Sequence, residues 1–177
     1  ANAADLSSWC MAKLAETLPA GTYRRADGEP GPAMHGWVTG QYRFERYRND
    51  DKAEGPRVLL TRDAKAIPDA MAEAEAVNLV RDLVNTSAEH MGPAQLEAEA
   101  EKLARDCGGK LTVTRGDLLE REFPMVHMVG RAAAREHAPR MIQLEWGDAK
   151  HPRVAVVGKG VTFDSGGLDI KPSSGML

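Results

Sequence analysis

Two lysines and one aspartate lie within a short glycine-rich segment near residue 160. Lys159 stands between Gly158 and Gly160, Asp164 follows five residues later, and Lys171 comes after a Ser-Gly-Gly turn. Glycines carry no Cβ, so backbone or a ligand can approach the lysine closely. Two amines and a carboxylate suggest a catalytic or metal site, although they name no reaction, and simple surface turns are the alternative. The phosphate-loop pattern Gly-x-x-x-x-Gly-Lys-Ser/Thr is absent, which excludes that reading.

The apolar run before this segment predicts the element that positions it. Residues 154–157 are apolar in succession, the pattern of a strand covered on both faces, so we expect a buried strand over 153–158. In open α/β sheets, ligands bind beyond the carboxyl ends of strands, where Lys159 follows. From residue 57 the predicted order is β-α-α-β-α-β-β. Strands separated by helices indicate an α/β fold with a mixed, mostly buried sheet flanked by helices.

Hydrophobic spacing and the positions of proline and glycine predict the other elements. Pro93 can open a helix and Gly108-Gly109 can end it, with glutamates 97, 99 and 101 forming a solvated acidic face. Helices are expected around 6–14, over 33–47, from residue 68, over 93–107, as a short turn over 117–122, and over 124–137. Strands are expected over 57–61, 110–114 and 140–146.

The glycine-rich segment resembles a family signature. Lys159-Gly160-Val161-Thr162-Phe163-Asp164-Ser165-Gly166-Gly167, continuing to Lys171-Pro172, is similar to the signature of the leucine (cytosol) aminopeptidase family of two-metal exopeptidases. Three further blocks resemble the same family in the same order: residues 40–47 its interdomain helix, residues 81–86 with 91–93 its first catalytic-domain helix and turn, and residues 124–132 another family block. The resemblance covers roughly residues 36–177.

This resemblance implies a role for each of three residues. Lys159 would ligate a metal through its amine, Asp164 would bridge two metals, and Lys171 would be the catalytic lysine that holds the substrate carbonyl and the tetrahedral intermediate. An amine ligand must be neutral, and neighbouring cations with burial depress a lysine pKa. The implied metals are two divalent ions, Mn²⁺ or Zn²⁺, since mixed nitrogen and oxygen ligation suits both.

The same resemblance implies the reaction and the assembly. The expected enzyme is a leucyl aminopeptidase that releases N-terminal, preferably apolar residues from peptides, in a cytoplasmic homo-hexamer. The family's further carboxylates, and the arginine where bicarbonate is held, would lie beyond Leu177. The 177 residues alone are therefore expected to be inactive.

The chain is also expected to be a piece of a longer polypeptide. It starts without Met and ends just after its richest motif. Residues 1–56 are interpreted as a remnant of an N-terminal domain with the interdomain helix. Residues 57–177 are interpreted as the first, incomplete part of the catalytic metallopeptidase domain.

Charge, hydropathy and cysteine content limit the classes of function that the protein can have. The net charge of −3 gives no general basic excess for nucleic acid, and no apolar run approaches the roughly 18 residues of a membrane helix. Two cysteines far apart fit a reduced cytoplasmic setting better than a disulfide scaffold. The five histidines have no ligand spacing and are expected in helices or loops. The rival hypothesis is a non-catalytic scaffold or DNA-associated binding protein on the same fold.

Overall fold

The computed structural model describes residues 6–48 and 55–162 of the chain. By its contacts the chain divides into unit 1, Ala1–Asn85, and unit 2, Thr86–Leu177. The domain boundary expected after residue 56 stays a prediction.

In chain order the helices and strands are α1 Ala12–Thr17, β1 Gly21–Tyr23, α2 Ala33–Thr39, β2 Arg57–Leu59, α3 Ile67–Asn85, α4 Pro93–Cys107, β3 Lys110–Arg115, α5 Gly116–Glu122, α6 Pro124–Gly130 and β4 Arg140–Glu145.

The predicted α/β class is confirmed. In unit 1, β1 and β2 form a parallel pair, and in unit 2, β3 and β4 form an antiparallel pair. Short 3-10 turns at Ala64–Ala66 and Arg135–His137 complete the regular structure of the described residues. None of the helices in the described ranges combines the length and apolar character needed to cross a bilayer.

Helix α4 has the bounds that its sequence predicts. The backbone N–H of Gly92 donates to Gln95 Oε1 at 3.1 Å, which satisfies one of the free donors at the helix start. Gly108 then adopts φ 67°, the left-handed conformation that commonly ends a helix, and the Gly109 N–H bonds back to the Ala104 carbonyl at 2.7 Å. Local signals thus define both ends of this helix.

The helix predicted over 33–47 is wrong beyond Thr39. The chain turns there because the side chain of Gln41 pairs with the backbone of β2: Gln41 Nε2 donates to the Arg57 carbonyl at 3.0 Å, and the Arg57 N–H donates to Gln41 Oε1 at 3.0 Å. Trp37 Nε1 donates to the same carbonyl at 2.9 Å. These tertiary bonds satisfy the strand backbone and outweigh continuation of the helix. The helix predicted over 124–137 is also too long, because α6 ends at Gly130.

Unit 1 has a small core around α1 and α2. Its buried members are Met11, Ala15, Ala33 and Trp37, and partly buried hydrophobic side chains pack around them. Two of the four are alanines, whose small side chains let the backbones of the two helices come close together. Strand β1, which the sequence analysis missed, is only three residues long and exposed or half-buried, so it leaves no clear alternating pattern.

Two glycines, Gly36 within α2 and Gly40 at its C-cap, set this close approach. A Cβ on Gly36 would lie 2.5 Å from the Ser8 carbonyl oxygen, and one on Gly40 would lie 2.4 Å from the Ala12 carbonyl oxygen. Neither glycine has a positive φ. Glycine is needed at these positions because there is no room for a side chain, and not because of the backbone conformation. The obstacle in both cases is backbone, which cannot move aside as a side chain can.

Two of the segments that carry the family resemblance contact each other within unit 1. The Tyr42 hydroxyl donates to Asp82 Oδ1 at 2.6 Å, and Asn85 Nδ2 donates to the Tyr42 oxygen at 3.3 Å. The Arg81 guanidinium lies 5.1 Å from the Tyr42 ring centroid and also donates to the Thr39 carbonyl. Burial and the hydrogen bond to Asp82 raise the pKa of the Tyr42 phenol above its ordinary value, so at neutral pH it is a hydrogen-bond donor.

In unit 2 a buried carboxylate joins α4 to the strand pair. Arg115 and Arg140 lie directly opposite each other across the antiparallel pair. Glu97 accepts from Arg140 Nη1 at 2.6 Å and from Arg115 Nε at 3.0 Å, and a second Arg115 nitrogen pairs with its other oxygen. The expectation of a solvated Glu97 is therefore wrong, since this residue is 5% exposed. Burial lowers the pKa of Arg140, and the carboxylate offsets that cost to its charge.

The buried strand expected over 153–158 is absent from the structure. These residues are in neither a helix nor a strand, and Val154, Val156 and Val157 are about nine-tenths exposed. A strand forms only where a neighbour takes up its backbone N–H and C=O groups. No described strand pairs with this segment, because β3 and β4 pair only with each other. The apolar pattern alone could not supply that partner.

We predict that Gly40→Ala destabilises unit 1. Gly40 is the C-cap of α2 and has right-handed backbone angles that alanine also adopts, but the added Cβ would collide with the Ala12 carbonyl. Overpacking of this kind typically costs about 1–3 kcal/mol, so we expect net destabilisation in urea denaturation followed by circular dichroism. Gly21→Ala is the control, because its Cβ would meet only ordinary contacts at 3.6 Å. A Gly40→Ala chain more stable than wild type would contradict the close approach.

We predict that Glu97→Gln destabilises unit 2 by about 3 kcal/mol, because removing one partner leaves buried charge uncompensated. The loss would place Arg115 and Arg140 opposite each other without a counter-charge. Glu101→Gln is the matched control: it lies one turn further on α4 and is exposed, so its effect should stay within about 0.5 kcal/mol. Equal urea midpoints for the two variants would show that the arginines do not depend on Glu97.

Candidate functional site

The segment that carries Lys159 leaves β4 through a tight turn. Gly147 has φ 97°, a conformation that favours glycine. The Asp148 carboxylate accepts from the Lys150 N–H at 2.9 Å, and the Asp148 carbonyl accepts from the His151 N–H at 3.0 Å. Residues 152–162 then continue without helix or strand. The turn sets the direction in which this segment leaves β4.

The two glycines beside Lys159 have different surroundings. The side chain of Lys159 is exposed. Among the described residues, a Cβ on Gly158 would meet no heavy atom within 4 Å, whereas one on Gly160 would lie 3.1 Å from Leu96 Cδ2. Within the described part of the chain, the Gly158 side of the lysine is therefore open, and the Gly160 side lies against the first turn of α4.

Asp164 and Lys171 lie outside the described residues. The predicted shared cavity for Lys159 and Asp164 therefore stays a prediction, and so does the separate place predicted for Lys171. Of the three predicted site residues, the structure places Lys159, which lies in the segment after β4 that forms neither helix nor strand.

The described residues contribute little to a metal site by themselves. In the ranges 6–48 and 55–162, no group of three or more His, Cys, Asp or Glu side chains is placed to hold a metal ion. Catalytic zinc usually takes three protein ligands, so Lys159 would need ligands from elsewhere in the polypeptide. An amine and a carboxylate are nitrogen and oxygen donors that suit Zn²⁺ and Mn²⁺. The donor chemistry of Lys159 and Asp164, with open space beside Gly158, fits such an ion.

The histidines lie in helices and loops, as predicted. His35 is buried in α2, where its ring packs edge-on against Trp9 at a centroid distance of 4.7 Å. Its Nδ1 lies 3.6 Å from Glu73 Oε2, which is longer than a hydrogen bond. His127 lies in α6 and His137 in a 3-10 turn. None of them joins a group of three ligands among the described residues.

A separate groove lies between α4 and β3. Its volume is about 370 Å³, and Glu97, Glu101, Arg105 and Arg115 give its lining charges of both signs. Lys159 does not line it. Sequence reasoning missed the arginine cluster around Glu97 because the partners stand 18 and 43 residues away. The one signal available was an arginine directly after the strand predicted over 110–114 and another at the start of the strand predicted over 140–146.

Comparison with protein families gives a match over the second half of the chain. A family model described as "Cytosol aminopeptidase family, catalytic domain" matches residues 78–177. The chain is similar to a probable cytosol aminopeptidase from Rhodococcus opacus, with 37% identity over 162 residues that cover 82% of the chain and 32% of the relative. The chain thus spans about a third of the length of the curated relatives it matches.

Solved structures give a similar result. The cytosol aminopeptidase from Coxiella burnetii matches with a TM-score of 0.80 and 37% identity, covering 96% of this chain and 37% of that one. The bottromycin maturation enzyme BotP, in complex with Mn, matches with a TM-score of 0.74 and 32% identity, covering 96% of this chain and 40% of that one. Both likenesses extend over nearly the whole chain.

Proposed function

The chain belongs to the cytosol aminopeptidase family, and we propose that the whole protein is a metal-dependent aminopeptidase that removes N-terminal, preferably apolar, leucine-like residues from peptides. The observation that carries this proposal is the family match over residues 78–177, which includes the segment with Lys159, Asp164 and Lys171. A general likeness of fold would not indicate a reaction, because function lies in sites and not in folds.

We propose that Lys159 and Asp164 hold metal and that Lys171 acts on the substrate. The Lys159 amine would offer its nitrogen lone pair to a metal ion, and the Asp164 carboxylate would supply oxygen ligands to two ions. Divalent cations, when bound, supply Lewis acidity to the scissile carbonyl. The ammonium of Lys171 stabilises negative charge on the substrate oxygen, an electrostatic role that requires its proton. The two lysines would therefore have different roles, one as a metal ligand and one as an electrostatic catalyst.

Manganese is the first metal to test. BotP, a structural relative, is described in complex with Mn, and nitrogen and oxygen donors suit Mn²⁺ as well as Zn²⁺. The same proposal includes two ions per site, bicarbonate held by an arginine outside these 177 residues, a homo-hexameric assembly and a cytoplasmic location. Peptides are the proposed substrates, and neither nucleic acid nor membrane is a proposed partner.

We predict that the complete natural protein hydrolyses leucyl peptides, that a chelator abolishes this activity and that Mn²⁺ restores it. The isolated 177-residue chain should show no turnover, because Lys159 and Asp164 supply two ligands where a catalytic ion usually takes three. Chromatography of the released leucine measures the activity of the complete protein and of the isolated chain. A complete, Mn²⁺-loaded protein without peptidase activity would favour the non-catalytic scaffold.

We predict that the two lysines fail differently when replaced. In the complete protein, Lys159→Met should lose tight metal binding, whereas Lys171→Ala should keep both metals and lose about 10²–10³-fold in kcat, the usual loss for one oxyanion donor. Elemental analysis beside steady-state kinetics separates the two effects. Lys150→Ala, at an exposed position before the same segment, is the control for loss of a positive charge. Metal loss in Lys171→Ala, with a full complement in Lys159→Met, would reverse the roles.

A further inference from the structure

The Lys159 segment lies against helix α4 at Gly160. Residues 152–162 have no strand or helix to fix them, but a Cβ on Gly160 would lie 3.1 Å from Leu96 Cδ2. That spacing is tighter than most real Cβ contacts, so the side chain of Leu96 lies directly against the backbone that follows Lys159. The absence of a side chain at residue 160 permits this approach.

The helix turn that presents Leu96 is itself held on several sides. The Leu96 N–H bonds to the Gly92 carbonyl at 3.1 Å, and Gly92 is packed so closely that a Cβ there would lie 2.3 Å from His137 Nδ1. The next residue, Glu97, is fixed by Arg115 and Arg140 at facing ends of β3 and β4. Leu96 is thus a half-buried side chain on a helix turn that the strand pair keeps in place.

We propose that Leu96 is a positioning residue for Lys159. A lysine side chain has four rotatable bonds, so an amine ligand is placed reproducibly only if its backbone is fixed. Leu96 holds the backbone at residue 160, one residue after the lysine. Glu97, in turn, holds the turn of α4 that carries Leu96 against β3 and β4. The proposal rests on the proposed function, because it takes Lys159 as a metal ligand.

The first experiment tests the contact without any metal. In the complete protein, with the exposed Cys10 and Cys107 replaced by serine, the pair Leu96→Cys and Gly160→Cys should be joined rapidly by a short bis-thiol reagent. Leu103→Cys with Gly160→Cys is the control, because Leu103 lies seven residues further along α4 and is exposed. Equal yields for the two pairs, measured by mass spectrometry, would overturn the proposal.

The second experiment tests the positioning by a double-mutant cycle on Mn²⁺ affinity. Leu96→Ala removes the side chain that holds residue 160, and Gly160→Val pushes the segment away from Leu96, so each should raise the Mn²⁺ Kd about tenfold, the usual lower bound for residues that orient a ligand. The double variant should be less than additive, since the residues act through one contact. Leu96→Met should restore the affinity of wild type, and Leu103→Ala should leave it unchanged.

The outcomes separate this proposal from the proposed function. Strictly additive effects, or a loss of affinity that only follows a fall in Tm, would overturn the positioning role, because a structural defect needs no coupling between residues 96 and 160. A wild-type protein that binds no Mn²⁺ or Zn²⁺ would overturn the proposed function instead. In that case preferential cross-linking of the 96 and 160 pair would still support Leu96 as the residue that holds the segment.

Discussion

The carboxylate of Glu97 is the contact on which unit 2 depends. Arg115 and Arg140 face each other across the antiparallel pair, and like charges directly opposite each other are unfavourable. Glu97 accepts hydrogen bonds from both, so it turns a repulsive pair into a three-membered cluster. Because Glu97 belongs to α4, the same contact holds the helix against the strands. The same electrostatic contact therefore bears on both the strand register and the place of the helix.

This arrangement suits a strand pair that no tight turn connects. Helices α5 and α6 stand between β3 and β4 in the chain, so a hairpin turn cannot set the register. A slip by one residue would move every side chain to the other face and would also separate the two arginines from their shared acceptor. The charged cluster at the end of the strand pair thus helps to specify the register, which the long connection between β3 and β4 does not determine.

Local signals and distant contacts explain which sequence predictions succeeded. Helix α4 was predicted with its bounds because Pro93 and Gly108 act within a few residues of each end. The helix over 33–47 was overestimated because Gln41 finds its partners in a strand 16 residues later. Glu97 was misread for the same reason, since spacing on a helix face does not reveal which partners fold onto it. At the candidate site, the sequence motif singled out Lys159. The apolar run before it, residues 154–157, predicted a strand, but the sequence pattern could not show that no described strand pairs with it.

Close contacts at glycine divide into two kinds with different evolutionary behaviour. At Gly36 and Gly40 the obstacle to a side chain is a carbonyl of the opposing backbone, so no substitution elsewhere makes room unless the path of the chain changes. At Gly160 the obstacle is the end of the Leu96 side chain, which a smaller residue would withdraw. Across homologues, positions 36 and 40 should remain invariant wherever this path is kept, whereas positions 96 and 160 should covary in size.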